Sequence, residues 1–319
     1  MSITGLKRQK IEALPPHSEQ TDLAAINSQN LKSARWKQVS PILLVTPMVV
    51  LASIFVLIPA LLTFIGSFFH IPFTGGEWRF VGLDNFIRVF STAQIIKSMV
   101  NTLVYSALTI IPSLAIGLAL AIAVDNLTRG KALIRTLLFL PMTANLVAMA
   151  VVFAYMFDYR MGILNGFIGM VGIPPVNWLG DTSTSLFTVA MVGVWRTASF
   201  TMMIFFAGLA TIPGTMNEAA RMDGIKGLTK VFRLTIPAMK PSVVFAVVMA
   251  VLQSIQAFDT VRVMTDGGPQ YSSEVIQTMA WRMGFEYFDL GTASALSFIM
   301  IAVLVAVGLW QRKILGGRN

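Results

Sequence analysis

Residues able to do chemistry are few in this sequence, and they stand in apolar surroundings. Arg196 interrupts the run GVWRTASF, and Gln253, Ser254 and Gln256 close a second apolar block just before Asp259. Gln253 and Gln256 are three apart and so share a helix face. A guanidinium and two carboxamides placed this way suit hydrogen bonding to sugar hydroxyls or to an anionic substituent. The same groups serve equally for bonds between packed helices, and an arginine can snorkel to the water or bind helix carbonyls. Asp259 is the nearest acid, so either it or a partner chain pairs with Arg196, or the site is left electropositive. No paired carboxylates lie within the apolar blocks, and no nucleophile–base set is present. The histidines are His17, in a polar stretch, and His70, and cysteine is absent. Disulfides and thiolate or His-rich metal sites are excluded on those counts.

The elements that must position these residues are membrane spans. Of 319 residues, 55% are hydrophobic and 12% charged, with mean hydropathy +0.72, against about 25% charged in soluble domains. Six blocks are long enough to cross a bilayer, which takes roughly 20 residues. They run from about Ile42 to Phe69, Met99 to Val124, Leu133 to Phe157, Leu186 to Ala210, Ser242 to Phe258 and Thr292 to Trp310. The fold class is therefore an all-α polytopic membrane protein with six transmembrane helices over residues 42–312. The first block follows 41 mostly polar residues and exceeds the ~7–15-residue core of a cleaved signal. It reads as a retained span, and residues 1–41 read as a flexible cytoplasmic tail. The stretch 70–98 is too short and polar to fold independently.

Net charge is +9, and its distribution favours membrane topology over nucleic acid as the explanation. Most of the 24 lysines and arginines fall in the tail, around Arg129–Arg135, across Arg221–Lys240, and at Arg312, Lys313 and Arg318. By the positive-inside rule those segments, and both termini, are cytoplasmic. The opposite side carries an aromatic and acidic loop with Asp266, Glu274, Glu286, Tyr271 and Trp281. It reads either as a solvated loop with interfacial aromatics or as a docking surface.

The segment 212–241, TIPGTMNEAARMDGIKGLTKVFRLTIPAMKPS with its flanks, carries the most specific pattern. Thr215 followed by Glu218 is a capping box after Pro213-Gly214. The pattern predicts a helix from Met216 to about Asp223, ended by Gly224 in a left-handed conformation. Ala219 and Ala220 give it a low profile for close approach to a partner, and Met222 adds an apolar contact.

Glu218-Ala219-Ala220, Asp223-Gly224, Phe232, Ile236-Pro237 and Pro241 together resemble the EAA loop of binding-protein-dependent ABC importer permeases. Met264-Thr265-Asp266-Gly267-Gly268-Pro269 resembles the L-T-x-G-G-P segment of the sugar-importing, maltose-type branch. Asn101-Thr102-Leu103 and Leu140-Pro141 are also similar. The resemblance covers about residues 40–315; Ile225 stands where alanine is common, and Met264 where leucine is. It implies a type I importer permease fold, with a core domain at about 97–311, in the bacterial inner (cytoplasmic) membrane. It implies a sugar or sugar derivative as cargo, an anionic derivative or glycerol phosphate being the alternative. The implied partners are a second homologous permease, two ATPase subunits and a periplasmic solute-binding protein. Glu218, Ala219, Ala220, Met222, Asp223 and Gly224 then couple to the ATPase, and Asp266, Gly267, Gly268 and Pro269 dock the binding protein. Arg196, Gln253, Ser254 and Gln256 fall on the spans flanking the EAA loop, where the family holds its sugar. This chain is expected to be no enzyme and to bind no cofactor. Arg129-Gly130-Lys131-Ala132 lacks both the upstream glycine and the Ser or Thr of a phosphate-binding loop, so ATP and Mg belong to the partner. A stand-alone secondary transporter, which six spans alone permit, needs neither of the two motifs.

Overall fold

The computed structural model describes residue 43, residues 45–72 and residues 74–316. The 1–41 tail and Arg318 lie outside the described residues. The chain falls into two units that part between Leu62 and Thr63.

Helix α1 runs over Val45–Gly66. It widens to a π turn at Ser53–Leu57, where the Ile58 N–H bonds the Ser53 carbonyl; Pro59, just beyond, brings no N–H to the ladder. A two-residue hairpin follows, β1 Phe69–His70 against β2 Arg79–Phe80. Helix α2, Asp84–Ser91, is pinned by Asn85, which donates to the Ser67 and Phe69 carbonyls at 3.0 Å each. The stretch 70–98 is thus hairpin and short helix with no core of its own, as its length implied.

Helix α3, Ala93–Asp125, is 33 residues long and starts six residues before the expected span. The third apolar block is not one helix. It divides into α4, Lys131–Thr143, and α5, Leu146–Met156, which meet at 93°. Pro141 withholds an N–H from the last turns of α4, and Asn145 caps α5 by accepting the Ala148 N–H at 3.0 Å. A helix stop and a helix start therefore sit side by side. Helices α6, Ile163–Met170, and α7, Ser185–Leu209, come next. The 212–241 segment holds α8, Gly214–Met222, α9, Gly227–Lys230, and a π turn at Val231–Thr235. Helix α10, Lys240–Ile255, breaks at 256–258 before the short α11, Asp259–Met264. Helices α12, Ile276–Phe285, and α13, Leu290–Gly316, complete the order. Among the described residues five segments are long and apolar enough to cross a membrane, and the count is six if the bent α4–α5 pair is one span.

Helices α3 and α7 form the spine. A side chain at Gly117 would place its Cβ 2.9 Å from the Met202 nitrogen and 3.1 Å from the Ala198 carbonyl. Only glycine lets the two backbones come this close. Thr201 closes the contact by donating to the Ser113 carbonyl at 2.9 Å. Two apolar clusters flank this crossing, one around Met202, Phe205 and Met239, the other around Tyr105, Val189 and Val261.

Candidate functional site

The four polar residues of the spans are brought together. Arg196 from α7 and Gln253, Ser254 and Gln256 from the end of α10 line one small chamber, with Tyr105 and Thr109 from α3 and Thr260 from α11. The chamber exists because α10 ends there: Gln256 is its C-cap and 256–258 are not helical, so backbone and side chains converge where a continuous helix would present one face. Ser254 spends its hydroxyl on the Val251 carbonyl at 2.9 Å. Gln253 does not: both atoms of its carboxamide, and Nε of Arg196, are buried without a hydrogen-bond partner. Such groups cost about 1–3 kcal/mol each when left unmet. Among the described residues Arg196 forms no ion pair, with Asp259 or any other carboxylate. The chamber's volume is about 50 Å³, well under the ~300 Å³ of a small-molecule pocket. Tyr105, Thr109, Thr197 and Thr260 were not singled out by spacing as lining residues; a hydroxyl in an apolar run carries no pattern that separates lining from packing.

In the 212–241 segment the helix begins at Gly214, two residues before the expected point, and the capping box is absent. Pro213 is the N-cap, with φ −60°, and no side chain caps the first turn. Its carbonyl takes the Met216 N–H at 3.1 Å, which leaves Thr215 inside the helix rather than ahead of it. The far end follows the expectation. Gly224 has φ +69°, the Ile225 N–H reaches back to the Ala220 carbonyl at 2.9 Å, and the Gly224 N–H to that of Arg221 at 3.2 Å. This is the paired closure of a helix on a left-handed glycine. Glu218, Ala219, Met222, Asp223 and Gly224 are exposed, while Ala220 is buried within the chain itself. Met222, Leu228 and Phe232 add 89%, 75% and 65% exposed apolar side chains, so the segment presents an uncovered apolar patch.

The loop 265–275 is tied to α3 and α12 by hydrogen bonds and ion pairs. Gly268–Pro269 is cis, and Asp266, Gly267, Gln270 and Tyr271 all have positive φ. Asn101 on α3 donates to the Tyr271 and Glu274 carbonyls at 2.8 and 2.9 Å, and Thr102 accepts the Ile276 N–H at 2.8 Å. Arg282 on α12 bonds Asp266, Glu274 and Glu286, and Arg262 pairs with Asp266 and Glu286 while lying 4.0 Å over the Trp281 ring. Glu274 is fully buried, and burial pushes its carboxyl above the usual range against the opposing pull of Thr278 and Arg282. Its carboxylate fills the space beside Gly267: a Cβ there would sit 2.6 Å from Glu274 Cδ. Of Asp266, Gly267, Gly268 and Pro269, only Asp266 is exposed.

Residues 113–318 match the family described as the inner membrane component of binding-protein-dependent transport systems. The chain belongs to that family. This inner membrane component is 28% identical over 265 residues to the trehalose/maltose transport system permease protein MalF of Thermococcus litoralis, covering 83% of this chain and 88% of the relative. It is 30% identical over 277 residues to the sn-glycerol-3-phosphate transport system permease protein UgpA of Agrobacterium fabrum, covering 86% and 94%. Its fold is that of a chain in the crystal structure of a bacterial alginate ABC transporter in complex with alginate pentasaccharide-bound periplasmic protein. The TM-score is 0.74 at 19% identity, covering 88% of this chain and 96% of that one. The component is thus an ABC transporter permease of type I fold, a multi-pass membrane protein and a transport subunit.

Proposed function

We propose that this permease is one of two related subunits that together pass a sugar or sugar derivative inward. The cargo is delivered by an external solute-binding protein, and transport is driven by ATP hydrolysed on two separate ATPase subunits. Both termini and the 212–241 segment face the cytoplasm, in keeping with their lysines and arginines. The exposed helix α8, with Glu218, Ala219, Met222, Asp223 and Gly224, meets the ATPase. The loop 265–275 meets the binding protein through exposed Asp266, with Gly268 and Pro269 half-buried beside it and buried Gly267 shaping the turn.

The observation that carries this reading is the chamber at the break of α10. The unpartnered Nε of half-buried Arg196 and the carboxamide of Gln253, buried without partners, are donors and acceptors held ready for a hydroxylated cargo. The chamber is far too small for a sugar ring as it stands, which fits a half-site completed by the second subunit or opened in another state. Uptake by the reconstituted complex tests it. Arg196→Met and Gln253→Leu are expected to lower uptake at least about tenfold, the scale of a lost charged hydrogen bond, with assembly intact. Full uptake in both variants would remove the chamber from the pathway. An anionic derivative is the second reading, favoured by the lack of a counter-ion on Arg196 among the described residues and by the relative named for glycerol-3-phosphate. There Arg196→Lys keeps part of the uptake that Met abolishes, because lysine retains the charge without the fork.

A further inference from the structure

One aromatic side chain takes up room beside the chamber's polar groups. Tyr105, on α3, is 3% exposed and meets α7 at Gly193, and both residues line the chamber. A side chain at Gly193 would put its Cβ into the Tyr105 hydroxyl and 3.2 Å from Cζ of the same ring. The third neighbour there is Thr109 Cγ2, at 3.3 Å. At Gly117, by contrast, the neighbours include backbone atoms of α7. The notch over Gly193 is thus a space between side chains, and the phenol occupies it.

The groups around that ring are the unmet ones. Arg196 follows Gly193 by three residues on the same face of α7, and Thr109 follows Tyr105 by four on α3. The Thr109 hydroxyl oxygen is buried without a hydrogen-bond partner, as are Nε of Arg196 and the carboxamide of Gln253, and all three residues share the chamber's lining with Tyr105. The chamber's volume of about 50 Å³ admits no ring. A cavity of about 150 Å³ holds benzene, so vacating the phenol supplies the missing room for one six-membered ring.

We propose that Tyr105 is the specificity-determining plug of the cargo chamber. Its phenol sits on Gly193 in the space of one six-membered cargo ring, so the placement of this side chain sets what the chamber takes. This rests on the reading of the chamber as the cargo site, but its test does not use transport. The chain has no cysteine, so Thr260→Cys, a size-conserving exchange at a lining position, gives it a single thiol. The purified complex containing the full chain is treated with methyl or benzyl methanethiosulfonate, and the mass of this chain reports each rate. With Tyr105 in place the methyl reagent is expected to react and the benzyl reagent to be excluded. Tyr105→Ala is expected to raise the benzyl-to-methyl rate ratio at least about tenfold, the scale of one relieved steric overlap. Tyr105→Leu, which keeps an apolar side chain without the ring, carries the same expectation should the alanine variant fail to assemble. Tyr105→Phe keeps the ring and is expected to leave the ratio near that of the unaltered chain. Val189→Ala thins the apolar cluster that Tyr105 belongs to at a position outside the chamber lining, and it is expected to leave the ratio unchanged. A ratio that stays level when the ring is removed, or rises as much in Val189→Ala, overturns the plug. So does a thiol that neither reagent reaches in the ring-less variants, since the vacated space would then not belong to the chamber. Full uptake in Arg196→Met and Gln253→Leu would instead end the cargo reading while leaving the size result in place.

Discussion

Gly267→Ala tests whether the buried carboxylate of Glu274 shapes the loop 265–275. Two costs add at this position. Gly267 has φ +75°, which an alanine tolerates only at about 1–2 kcal/mol. The new Cβ would also lie 2.6 Å from Glu274 Cδ, so the carboxylate must swing away from Arg282, 3.2 Å distant. Breaking a buried ion pair costs about 3–5 kcal/mol. Arg282 keeps Asp266 and Glu286 as partners, so roughly half of that, about 2 kcal/mol, is the reasonable share. The single variant should therefore lose about 3–4 kcal/mol. In a Glu274→Ala background only the Cβ of residue 274, 3.3 Å from the new one, remains, and the same substitution should cost little beyond the backbone term of about 1–2 kcal/mol. The assay is a double-mutant cycle on the thermal stability of the purified complex, read beside retention of the binding protein. A coupling of about 2 kcal/mol is expected; additivity within about 0.5 kcal/mol, as for independent sites, would refute the packing argument.

Glu274 also makes the loop respond to pH. Its folded-state pKa is raised by burial, so the folded loop binds its proton more tightly than the unfolded chain does. Stability should therefore be greatest on the acid side and fall as pH rises from the ordinary carboxyl value through the raised one; Glu274→Gln should flatten that dependence in hydrogen exchange of residues 265–275. At the other loop, Gly224→Val places a β-branched residue at φ +69°, a conformation valine strongly resists. The expected outcome is a normally inserted protein whose ATP hydrolysis no longer drives uptake, and normal transport would disprove the coupling role of this turn.

The sequence made the spans legible because a bilayer demands uninterrupted apolar length, and the blocks ending near Val124 and Ala210 were placed within a residue or two. What it hid was where a long block breaks. Pro141 and Asn145 carried the signal for the α4–α5 bend, but hydropathy sees only that both flanks are apolar. The chamber residues Arg196, Gln253 and Gln256 stood out because polar groups are rare in such surroundings. Thr260 did not, since a hydroxyl in an apolar run looks the same in sequence whether it packs or faces a cavity. Glu274 read as one acid in a solvated or docking loop; its burial follows from Gly267, which the turn at 266–271 folds back onto it, and from Arg282, which reaches it from α12. Thr215 and Glu218 had the spacing of a capping box, and Pro213, already fixed in φ, took the position first.

Helix α3 runs past several of the features described above. Asn101 and Thr102 carry the loop 265–275, Tyr105 and Thr109 line the chamber, Gly117 meets α7, and Asp125 at its end holds Lys131. At 33 residues it is a rod about 50 Å long with one weak joint, Pro112, where the hydrogen-bond ladder skips a rung. In mechanical terms it is a lever with unequal arms of about 30 and 20 Å. A change of about 10° in the bend at Pro112, small for a proline joint, carries the Asp125 end roughly 3 Å sideways. The chamber's residues on α3, Tyr105 and Thr109, lie within about two turns of that fulcrum and are displaced less than the ends, so the chamber keeps its register while both ends of the rod move.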